Sequence, residues 1–549
     1  MGELKKIDGY FLLFTFIVSF YCLVLAHIGF EFWDTGYIPS FSWRIVNGEK
    51  VYEDFLYKGP PVTLYFHAFL MKILPEVGQF YWIRVTNYLL FALQVFFTVK
   101  AFDNFYGLEK FKINKWAIMS VGFVISLLNF PPYPWPTTDG LLFSSIALYF
   151  SSKLNKIKTF DLILIAFFSV LSALTKQSFY LIPLLFIIFI AIQKGIQKAM
   201  ILLLFISFFI SLFLYWITSI TTLDNFLKQT TGQTHIKDLF YAGFLNYFWI
   251  YDDKIQIYSI ILIATLILYY FKFKNSTFSF KKLFETISIT LLLVSIVLCF
   301  SNQFLIASRI AAISCTIALL NQIKLSIESI KFHLPQLLFL GIAWCSAISM
   351  GYAFPILFST GIILSCIVLF HDELQKYTKL NVIIISFLCL FAFSYNYRPY
   401  REQNVLKIDS TLDAISPKLK YIYTTESNFN KLKELKQLRE KYGSKTIVAP
   451  NMSMTNYIFN SKSLFPADWV INTEVNRDTK TFITIASYRE NYIFIEKSFI
   501  KGEELMPLKR EKFSIIADYI YRNFNKIEET NHFIVYNGQK TNEKLPKIN

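Results

Sequence analysis

Long apolar runs separated by short polar segments make up most of the first 396 residues. Many runs approach the roughly 20 residues that a helix needs to cross about 30 Å of hydrocarbon, and many are bounded by Lys, Pro or Asn. The pattern predicts thirteen membrane-spanning helices, at 10–30, 80–101, 116–131, 137–151, 160–175, 178–193, 199–220, 255–271, 283–300, 304–321, 335–350, 354–370 and 380–396. The apolar stretch Pro61–Leu74 predicts an additional short or re-entrant helix.

Positive residues accumulate in alternate predicted loops. The Lys-rich set contains Lys110, Lys112, Lys115, Lys153, Lys156, Lys158, Lys194, Lys198, Lys272, Lys274, Lys281, Lys282, Lys324, Lys331, Lys376 and Lys379. The intervening loops are poorer in Lys and Arg, and Pro131–Asp139 has neither. Because positive loops remain in the cytoplasm, we expect a cytoplasmic N-terminus and an external C-terminus. The first run follows two lysines but lacks a small-residue cleavage site, so we interpret it as a retained anchor.

The composition changes to that of a soluble domain after Tyr397. Helical periodicity predicts helices at Lys431–Tyr442 and Phe513–Phe524. Strands are predicted at Thr446–Pro450, Thr481–Tyr488 and His532–Asn537. The chain is therefore predicted to be an α-helical polytopic membrane protein with a C-terminal extracytoplasmic α/β domain. The membrane module covers 1–396 and includes the external segments 31–61 and 221–254, and the α/β domain covers 397–549.

Composition and charge support this class. The 549 residues are 54% hydrophobic and 18% aromatic, and the net charge is +16. The lysines lie largely in loops between apolar runs, where they set topology, so we do not expect nucleic-acid binding. All six cysteines fall within predicted spans without a CxxC or Cys/His metal spacing, which indicates packing residues. Frequent Lys, Ile, Phe and Asn fit a bacterial inner-membrane protein with a periplasmic face, and codon bias is the alternative source of the same composition.

The first external loop, Phe30–Pro61, concentrates acidic residues between aromatics beside the bilayer. Asp34 follows Phe32 and Trp33, whose rings would desolvate its carboxylate and raise its pKa towards that of a general base. The alternative is that Asp34 only caps the next turn. Asp54 precedes Lys58 by four residues, and the two side chains could pair with each other or face an anionic headgroup.

Other charged residues lie near the predicted external ends of spans. Lys176 and Gln177 form a polar break between two runs, and Arg309 and Asp139 lie at the ends of theirs. External cations near acids are suited to stabilising a leaving phosphate, although a lysine at a span end can also simply extend to the interface. The aromatic and polar segment 221–254 is consistent with interfacial helices or with a solvated connector.

One span, an external loop reading DTG and then YxDFxYxxPP, and a TKQ break after the fifth span together resemble the GT-C superfamily of glycosyltransferases that use polyprenyl-phosphate sugars. The superfamily includes the protein O-mannosyltransferases and the lipid A aminoarabinose transferases. The resemblance implies that one sugar moves, with inversion, from a polyprenyl-phosphate carrier such as undecaprenyl phosphate to a hydroxyl of an external glycan, lipid or protein. Its motifs are confined to about 31–61 and 172–183.

The same resemblance implies roles for individual residues. Asp34 would be the catalytic base, and Asp54 would orient the acceptor or a metal. Lys58, Lys176 and Arg309 would bind the donor phosphate, and the remaining substrate-binding residues would be Tyr52, Asp139 and Gln177. Thr35 follows Asp34, so the adjacent Asp-Glu pair of the O-mannosyltransferases is missing; no cofactor is assigned, and Mg²⁺ or Mn²⁺ stays an option.

Three other functions fit the same sequence class. A lipid-glycan transporter or flippase would place ionisable residues near the bilayer midplane. A polymerase or ligase that uses a diphosphate-linked donor would also have many spans and large external segments. A non-catalytic assembly scaffold would leave the tail without chemistry. The predicted acids gather at external ends of spans, which favours the glycosyltransferase.

Overall fold

The structure is a computed structural model of the 549-residue chain. It describes residues 8–128, 133–153, 157–231, 241–245, 247, 265, 267, 269, 279–301, 303–349, 354–371, 402, 405–475, 479–501, 504–505, 507–508, 511–512 and 514–538. The predicted span at 255–271 is described only at three positions, and the one at 380–396 lies outside the described residues.

The chain forms two compact units. Unit 1 contains Met1–Cys22, Asn87–Leu214 and Thr234–Tyr397, and unit 2 contains Leu23–Thr86, Tyr215–Gln233 and Arg398–Asn549. The first external loop therefore belongs to the same unit as the tail, whereas the sequence-based domain division assigned it to the membrane module. The segment 221–254 is divided between the two units.

Helices dominate the described residues. In chain order they are α1 (Gly9–Leu23), α2 (Tyr37–Val46), α3 (Val62–Ile73), α4 (Gln79–Tyr106), α5 (Lys115–Leu127), α6 (Pro136–Ser151), α7 (Thr159–Ala173), α8 (Ile182–Lys194), α9 (Ile196–Ile220), α10 (Leu223–Thr230), α11 (Phe280–Phe300), α12 (Phe304–Gln322), α13 (Ile327–Ala347), α14 (Ser359–Leu369), α15 (Glu426–Tyr442), α16 (Thr455–Ile458), α17 (Asn472–Val475), α18 (Thr479–Ala486) and α19 (Ile515–Asn523).

Seven helical segments among the described residues are long and apolar enough to cross a membrane. They are Gly9–His27, Gln79–Tyr106, Gln177–Lys194, Ile196–Ile220, Phe280–Phe300, Phe304–Gln322 and Ile327–Ala347. Shorter apolar helices occupy Val62–Ile73, Lys115–Leu127, Thr159–Ala173 and Pro355–Leu369. The chain is thus a helical, multi-pass membrane protein, while the count of thirteen spans and the topology stay predictions.

The first predicted span ends earlier than its apolar run. The run continues to Phe30, but α1 ends at Leu23 and a short 3₁₀ turn covers Leu25–His27. The guanidinium of Arg84 donates to the carbonyls of Ala26, Ile28 and Gly29. Because these carbonyls bind a side chain, the backbone does not need a helix here to satisfy them. Hydrophobicity alone does not reveal where this helix ends.

The tail contains a four-stranded sheet. Its strand order is β3 (Thr446–Ala449), β4 (Tyr492–Glu496), β10 (Phe533–Asn537) and β9 (Asn525–Glu529), with β3 parallel to β4 and the other pairs antiparallel. Two-residue strands form the pairs β1 (Ser410–Thr411) with β2 (Tyr423–Thr424), β5 (Ile500–Lys501) with β6 (Glu504–Leu505), and β7 (Pro507–Leu508) with β8 (Glu511–Lys512).

The sheet and the first loop share one hydrophobic core. Buried side chains of the sheet and of α18 and α19 form a cluster against which Trp33 and Leu56 of the loop pack. Burial of apolar surface therefore joins two segments about 400 residues apart in the sequence. The backbone N–H of Leu56 also donates to the carbonyl of Pro466 at 2.7 Å.

The tail confirms four of its five predicted elements. The helices α15 and α19 and the strands β3 and β10 occupy the predicted positions. The predicted strand at Thr481–Tyr488 is wrong, because α18 covers most of it. Its β-branched residues favour a strand, but Phe482, Ile483 and Ala486 are buried at helical spacing against the core, and tertiary packing overrides the local preference. The strands β4 and β9 were not predicted.

Candidate functional site

The residues singled out from the sequence divide between the two units. Unit 2 contains Asp34, Tyr52, Asp54 and Lys58. Unit 1 contains the other four, Asp139, Lys176, Gln177 and Arg309. The environment of each group follows from contacts within its own unit.

Asp34 begins the helical segment of the first loop. It is half-buried at the start of the 3₁₀ turn Asp34–Gly36, which continues directly into α2. In that turn the backbone N–H of Thr35 donates to the Glu31 carboxylate at 3.1 Å, and the Thr35 hydroxyl donates to the Glu31 carbonyl. Glu31 thus accepts a hydrogen bond from an N–H group of the first turn. The sequence analysis considered this capping role for Asp34. A carboxylate at this end of a helix is also favoured by the helix dipole.

The backbone of the Asp34 turn packs closely against the tail. A Cβ at Gly36 would overlap Met454 Cγ and lie 2.9 Å from the backbone nitrogen of that residue, so a larger residue does not fit. The hydroxyl of Ser453 donates to the carbonyl of Trp33 at 3.0 Å, and the Trp33 ring lies 5.4 Å from that of Phe499. These contacts hold Asp34 on a fixed backbone, as precise placement of a catalytic group requires.

Lys58 belongs to a polar cluster whose other two members, Tyr37 and Glu474, the sequence analysis missed. The hydroxyl of Tyr37 donates to Glu474 Oε2 at 3.0 Å, and Lys58 Nζ forms an ion pair with Glu474 Oε1. Burial, and then the nearby Glu474 carboxylate, raises the pKa of Tyr37 well above its usual value, so the phenol remains a donor.

Asp54 and Tyr52 have structural contacts in the loop. The exposed Asp54 carboxylate accepts from the backbone N–H of Lys50 at 2.7 Å, which closes a turn. Tyr52 is buried with a positive φ of 70°. Its hydroxyl donates to the carbonyl of Gly59 at 2.7 Å, and its own carbonyl accepts from Gln229 Nε2 at 2.8 Å. These contacts fix the loop conformation and give Tyr52 a positioning role.

A buried arginine links the first loop to the tail. Arg44 of α2 forms ion pairs with Glu49 at 2.7 Å and Asp468 at 3.4 Å. It also donates to the carbonyls of Phe465 and Asp54, each at 3.1 Å. Burial raises the pKa of Glu49, and the Arg44 charge opposes that shift. One side chain therefore links α2, the following turn and the tail.

In unit 1, Lys176 lies where three elements meet. It follows α7, and its Nζ donates to Thr137 Oγ1 of α6 at 3.3 Å and to the carbonyl of Ile348, just after α13, at 3.0 Å. A cation at a helix C-terminus is favoured by the dipole. Lys176 thus lies at the first turn of α6, the turn that also contains Asp139. Gln177 is half-buried and begins the next 3₁₀ turn.

Arg309 is buried within α12. Its guanidinium carbon lies 4.4 Å from the centre of the Phe354 ring, in a cation–π arrangement. The contact places the cation beside the segment that leads into the 3₁₀ turn Pro355–Phe358. Lys176 and Arg309 each contact the chain between α13 and α14, at Ile348 and Phe354.

A small cavity lies between α4 and α6. It has room for about one water molecule and is lined by Asn87, Leu90, Phe91, Gln94, Thr138 and Asp139. Asp139 is 1% exposed and Gln94 2% exposed. Among the described residues, both amide atoms of Gln94 and the Oδ1 of Asn87 have no hydrogen-bond partner. Asp139 is therefore a buried acid in the first turn of its helix, and its role as a substrate-binding residue stays a prediction.

The described residues contain no cluster of metal-binding side chains. No group of three or more His, Cys, Asp or Glu side chains among them is arranged to hold a metal. Mg²⁺ is usually bound by only one or two carboxylates together with substrate phosphates, so the divalent cation stays an option.

The partners that the sequence analysis missed lie far away in the sequence. Lys58 and Glu474 are 416 positions apart, and the loop carbonyl of Tyr52 is bound by a residue 177 positions later. Glu474 lies in the four-residue helix α17, which has no recognisable motif. No known protein-family model matches the chain, and comparison with characterised proteins finds no significant match.

Proposed function

We propose that the protein is a membrane glycosyltransferase that moves one sugar from a polyprenyl-phosphate carrier to an acceptor hydroxyl. The observation that carries the proposal is the placement of Asp34. Its carboxylate lies at the start of a helix held by the tail, while Glu31 binds the Thr35 N–H and hydroxyl in the same turn. An acid on a rigid backbone beside two aromatic residues is suited to general-base work.

In this mechanism Asp34 accepts the proton of an acceptor hydroxyl. The hydroxyl oxygen forms a bond to the anomeric carbon of the sugar while the bond from that carbon to the phosphate oxygen breaks. The polyprenyl phosphate leaves with the bonding electron pair, and direct displacement inverts the anomeric configuration. Cations stabilise the negative charge that develops on the leaving phosphate, and Lys58 is the candidate in the unit that contains Asp34.

The test is donor turnover by the purified full-length protein. We would supply a panel of undecaprenyl-phosphate sugars with candidate acceptors and compare wild type with Asp34→Asn. The amide keeps the shape of the side chain but removes the base, so turnover should fall by about 10²- to 10⁴-fold. Asp224→Asn is the matched control, because the Asp224 side chain is 73% exposed and pairs only with the neighbouring helix residue Lys228 in the described ion pairs.

Two results would contradict the proposal. One is that every donor remains intact with wild-type protein across the acceptor panel. The other is that Asp34→Asn turns over donor as fast as the Asp224→Asn control. A loss in Asp34→Asn counts only if the variant keeps the wild-type unfolding temperature.

A lipid-glycan transporter is the second candidate, and the buried Asp139 favours it. An acid buried in a helical unit, beside a Gln94 amide that has no hydrogen-bond partner among the described residues, is what a transport pathway would contain. Reconstituted vesicles separate the two functions. Movement of an undecaprenyl-phosphate sugar between leaflets without cleavage, lost in Asp139→Asn but retained in Asp34→Asn, would support transport.

A further inference from the structure

The ammonium of Lys58 already has an anion beside it. Glu474 Oε1 pairs with Lys58 Nζ, and the Lys58 side chain is 38% exposed while that of Glu474 is 6% exposed. An anion arriving from outside can therefore reach the lysine, but it meets a lysine whose charge is balanced by a residue of the tail. Any phosphate that binds Lys58 must compete with this carboxylate.

The backbone on both sides of Lys58 is fixed. The N–H of Tyr57 donates to Gln229 Oε1 at 3.1 Å, and the carbonyl of Gly59 accepts from the hydroxyl of Tyr52 at 2.7 Å. Pro60 and Pro61 follow, and proline restricts the backbone further. Movement at this position is consequently confined to the lysine side chain, which can exchange one anion for another without refolding the loop.

Glu474 has a second donor that holds it when the lysine leaves. Its Oε2 accepts from the hydroxyl of Tyr37 at 3.0 Å. Tyr37 is buried, and its ring lies 5.3 Å from that of Trp469. The carboxylate therefore keeps a hydrogen bond after Lys58 departs, which lowers the cost of separating the ion pair.

We propose that Glu474 is a resident counter-ion of Lys58 and that a lipid-linked phosphate group displaces it. The proposal rests on the proposed function for the identity of the lipid. A phosphate group offers several oxygen acceptors to one ammonium and forms strong charge-assisted hydrogen bonds, whereas a lone carboxylate ligand offers no more than Glu474 already supplies. The tail thereby sets how strongly the first loop binds anions and selects phosphates over carboxylates.

The experiment measures binding of sugar-free undecaprenyl phosphate to the purified full-length protein, so it needs no turnover. Glu474→Gln keeps the side-chain shape and an oxygen for Tyr37 but removes the competing charge, and should bind the lipid roughly three- to tenfold more tightly. Lys58→Met should bind it about tenfold more weakly or worse. The double variant should match Lys58→Met, because Glu474 acts through the lysine.

The tail offers a matched control. Glu528 also accepts from a lysine and a tyrosine, Lys441 and Tyr442. Glu528→Gln removes the same type of contact elsewhere in unit 2 and should leave lipid binding at the wild-type value. If Glu474→Gln does not fold, the shorter Glu474→Asp, which weakens the ion pair and keeps the charge, should shift affinity in the same direction by less.

The outcomes separate this inference from the proposed function. It is overturned if Glu474→Gln binds undecaprenyl phosphate like wild type or more weakly, or if Lys58→Met binds it normally. Inorganic phosphate, added as a competitor, shows which part of the lipid is recognised. If Glu474→Gln makes inorganic phosphate a stronger competitor, the phosphate group is the recognised part. If Glu474→Gln binds the lipid more tightly but inorganic phosphate does not compete, the lipid phosphate is recognised as a whole. If donor turnover depends on Asp34 but Glu474→Gln leaves lipid binding unchanged, the counter-ion role is contradicted and the proposed glycosyltransferase activity is not.

Discussion

The buried polar groups of unit 2 and those of unit 1 have different kinds of partners. In unit 2 the buried Arg44 binds two carboxylates, one of which lies 424 positions away, and Glu474 receives donors from two loop residues. In unit 1 the cation Lys176 binds a hydroxyl and a carbonyl, and Arg309 lies on an aromatic ring. These residues of unit 2 are held by charge pairs between distant segments, whereas the two cations of unit 1 contact neutral groups.

This difference follows from what surrounds each unit. A membrane helix satisfies its backbone internally, and its apolar side chains can face lipid, so few polar groups are needed. The loop and the tail have irregular backbone that must find partners in other segments. We therefore expect substitutions of buried charged residues in unit 2 to have large effects and substitutions of polar residues in unit 1 to have small ones. The following variants test this, from the largest expected effect to the smallest.

Removal of Arg44 should have the largest effect. Arg44→Met leaves the buried Asp468 and the half-buried Glu49 without their guanidinium and should lower the free energy of unfolding by about 3–5 kcal/mol. Thermal unfolding combined with limited proteolysis of the tail would measure it. Lys228→Met breaks an exposed ion pair and should change stability by no more than about 0.5 kcal/mol. Equal effects of the two variants would contradict the importance of the buried network.

Lys418 should make the stability of the chain depend on alkaline pH. Lys418 is 2% exposed, its Nζ lies 3.2 Å from the centre of the Trp43 ring, and burial lowers its pKa from 10.5 to about 8. Between these values the unfolded chain holds a proton that the folded chain has lost. The free energy of unfolding should therefore rise as pH increases from about 8 to 10.5, by at most ~3 kcal/mol, and this contribution is lost as pH falls to 8.

Unfolding of wild type and Lys418→Met at several pH values between 7.5 and 10.5 tests the lysine. The variant has no titrating group at this position, so its stability should change less with pH than that of wild type. The exposed Lys433 provides the control, because Lys433→Met should keep the wild-type dependence. Parallel curves for wild type and Lys418→Met would show that the pH dependence arises elsewhere.

Gln94 should be replaceable by an apolar residue. Its amide is buried in unit 1 without a hydrogen-bond partner among the described residues, and an unpaired buried amide is unfavourable by about 1–3 kcal/mol. Gln94→Met should raise the free energy of unfolding by about 1 kcal/mol. Gln193→Met is the control, because Gln193 donates to the carbonyl of Lys331 at 2.6 Å and its loss should not stabilise. A destabilised Gln94→Met protein would indicate that the amide is satisfied within the cavity.

A hydrogen bond between helices of unit 1 should contribute least. Ser172 Oγ lies 2.7 Å from Ser144 Oγ and donates to the carbonyl of Gly140 at 2.8 Å, which joins α7 to α6. Such bonds between membrane helices are worth about 0.6 kcal/mol, so Ser172→Ala should lower stability by that order. Thermal unfolding beside the exposed-residue variant Ser301→Ala measures it. A loss as large as that of Arg44→Met would remove the contrast between the units.

Most of the helical part of the fold could be predicted from the sequence. Runs of about 20 apolar residues have few alternatives to a membrane helix, so the predicted spans from 80–101 to 199–220 coincide with helices in the structure. Where local preference and packing disagree, prediction failed: the β-branched segment Thr481–Tyr488 became α18 because its apolar side chains face the core at helical spacing.

The candidate site was only partly predictable. The first loop attracts attention because acids beside a bilayer are rare, and Asp34 keeps its candidate role as a base. Its neighbours could not be anticipated, since Glu31 rather than Asp34 binds the Thr35 N–H, and Glu474 reaches Lys58 from 416 positions away. Contacts of this kind depend on which distant segments the fold brings together, and neither the spacing of residues nor the composition reveals those pairs.

By itself, the sequence determined that the chain is a helical, multi-pass membrane protein with a mixed helix-and-strand tail, because hydrophobic period and length constrain local structure strongly. Only the tertiary structure decided that the first loop and the tail share one core, that Asp139 is buried beside Gln94, and that Lys58 is paired with Glu474. Local patterns specify which faces are apolar, whereas the pairing of buried charges is set by which distant segments those faces bring together.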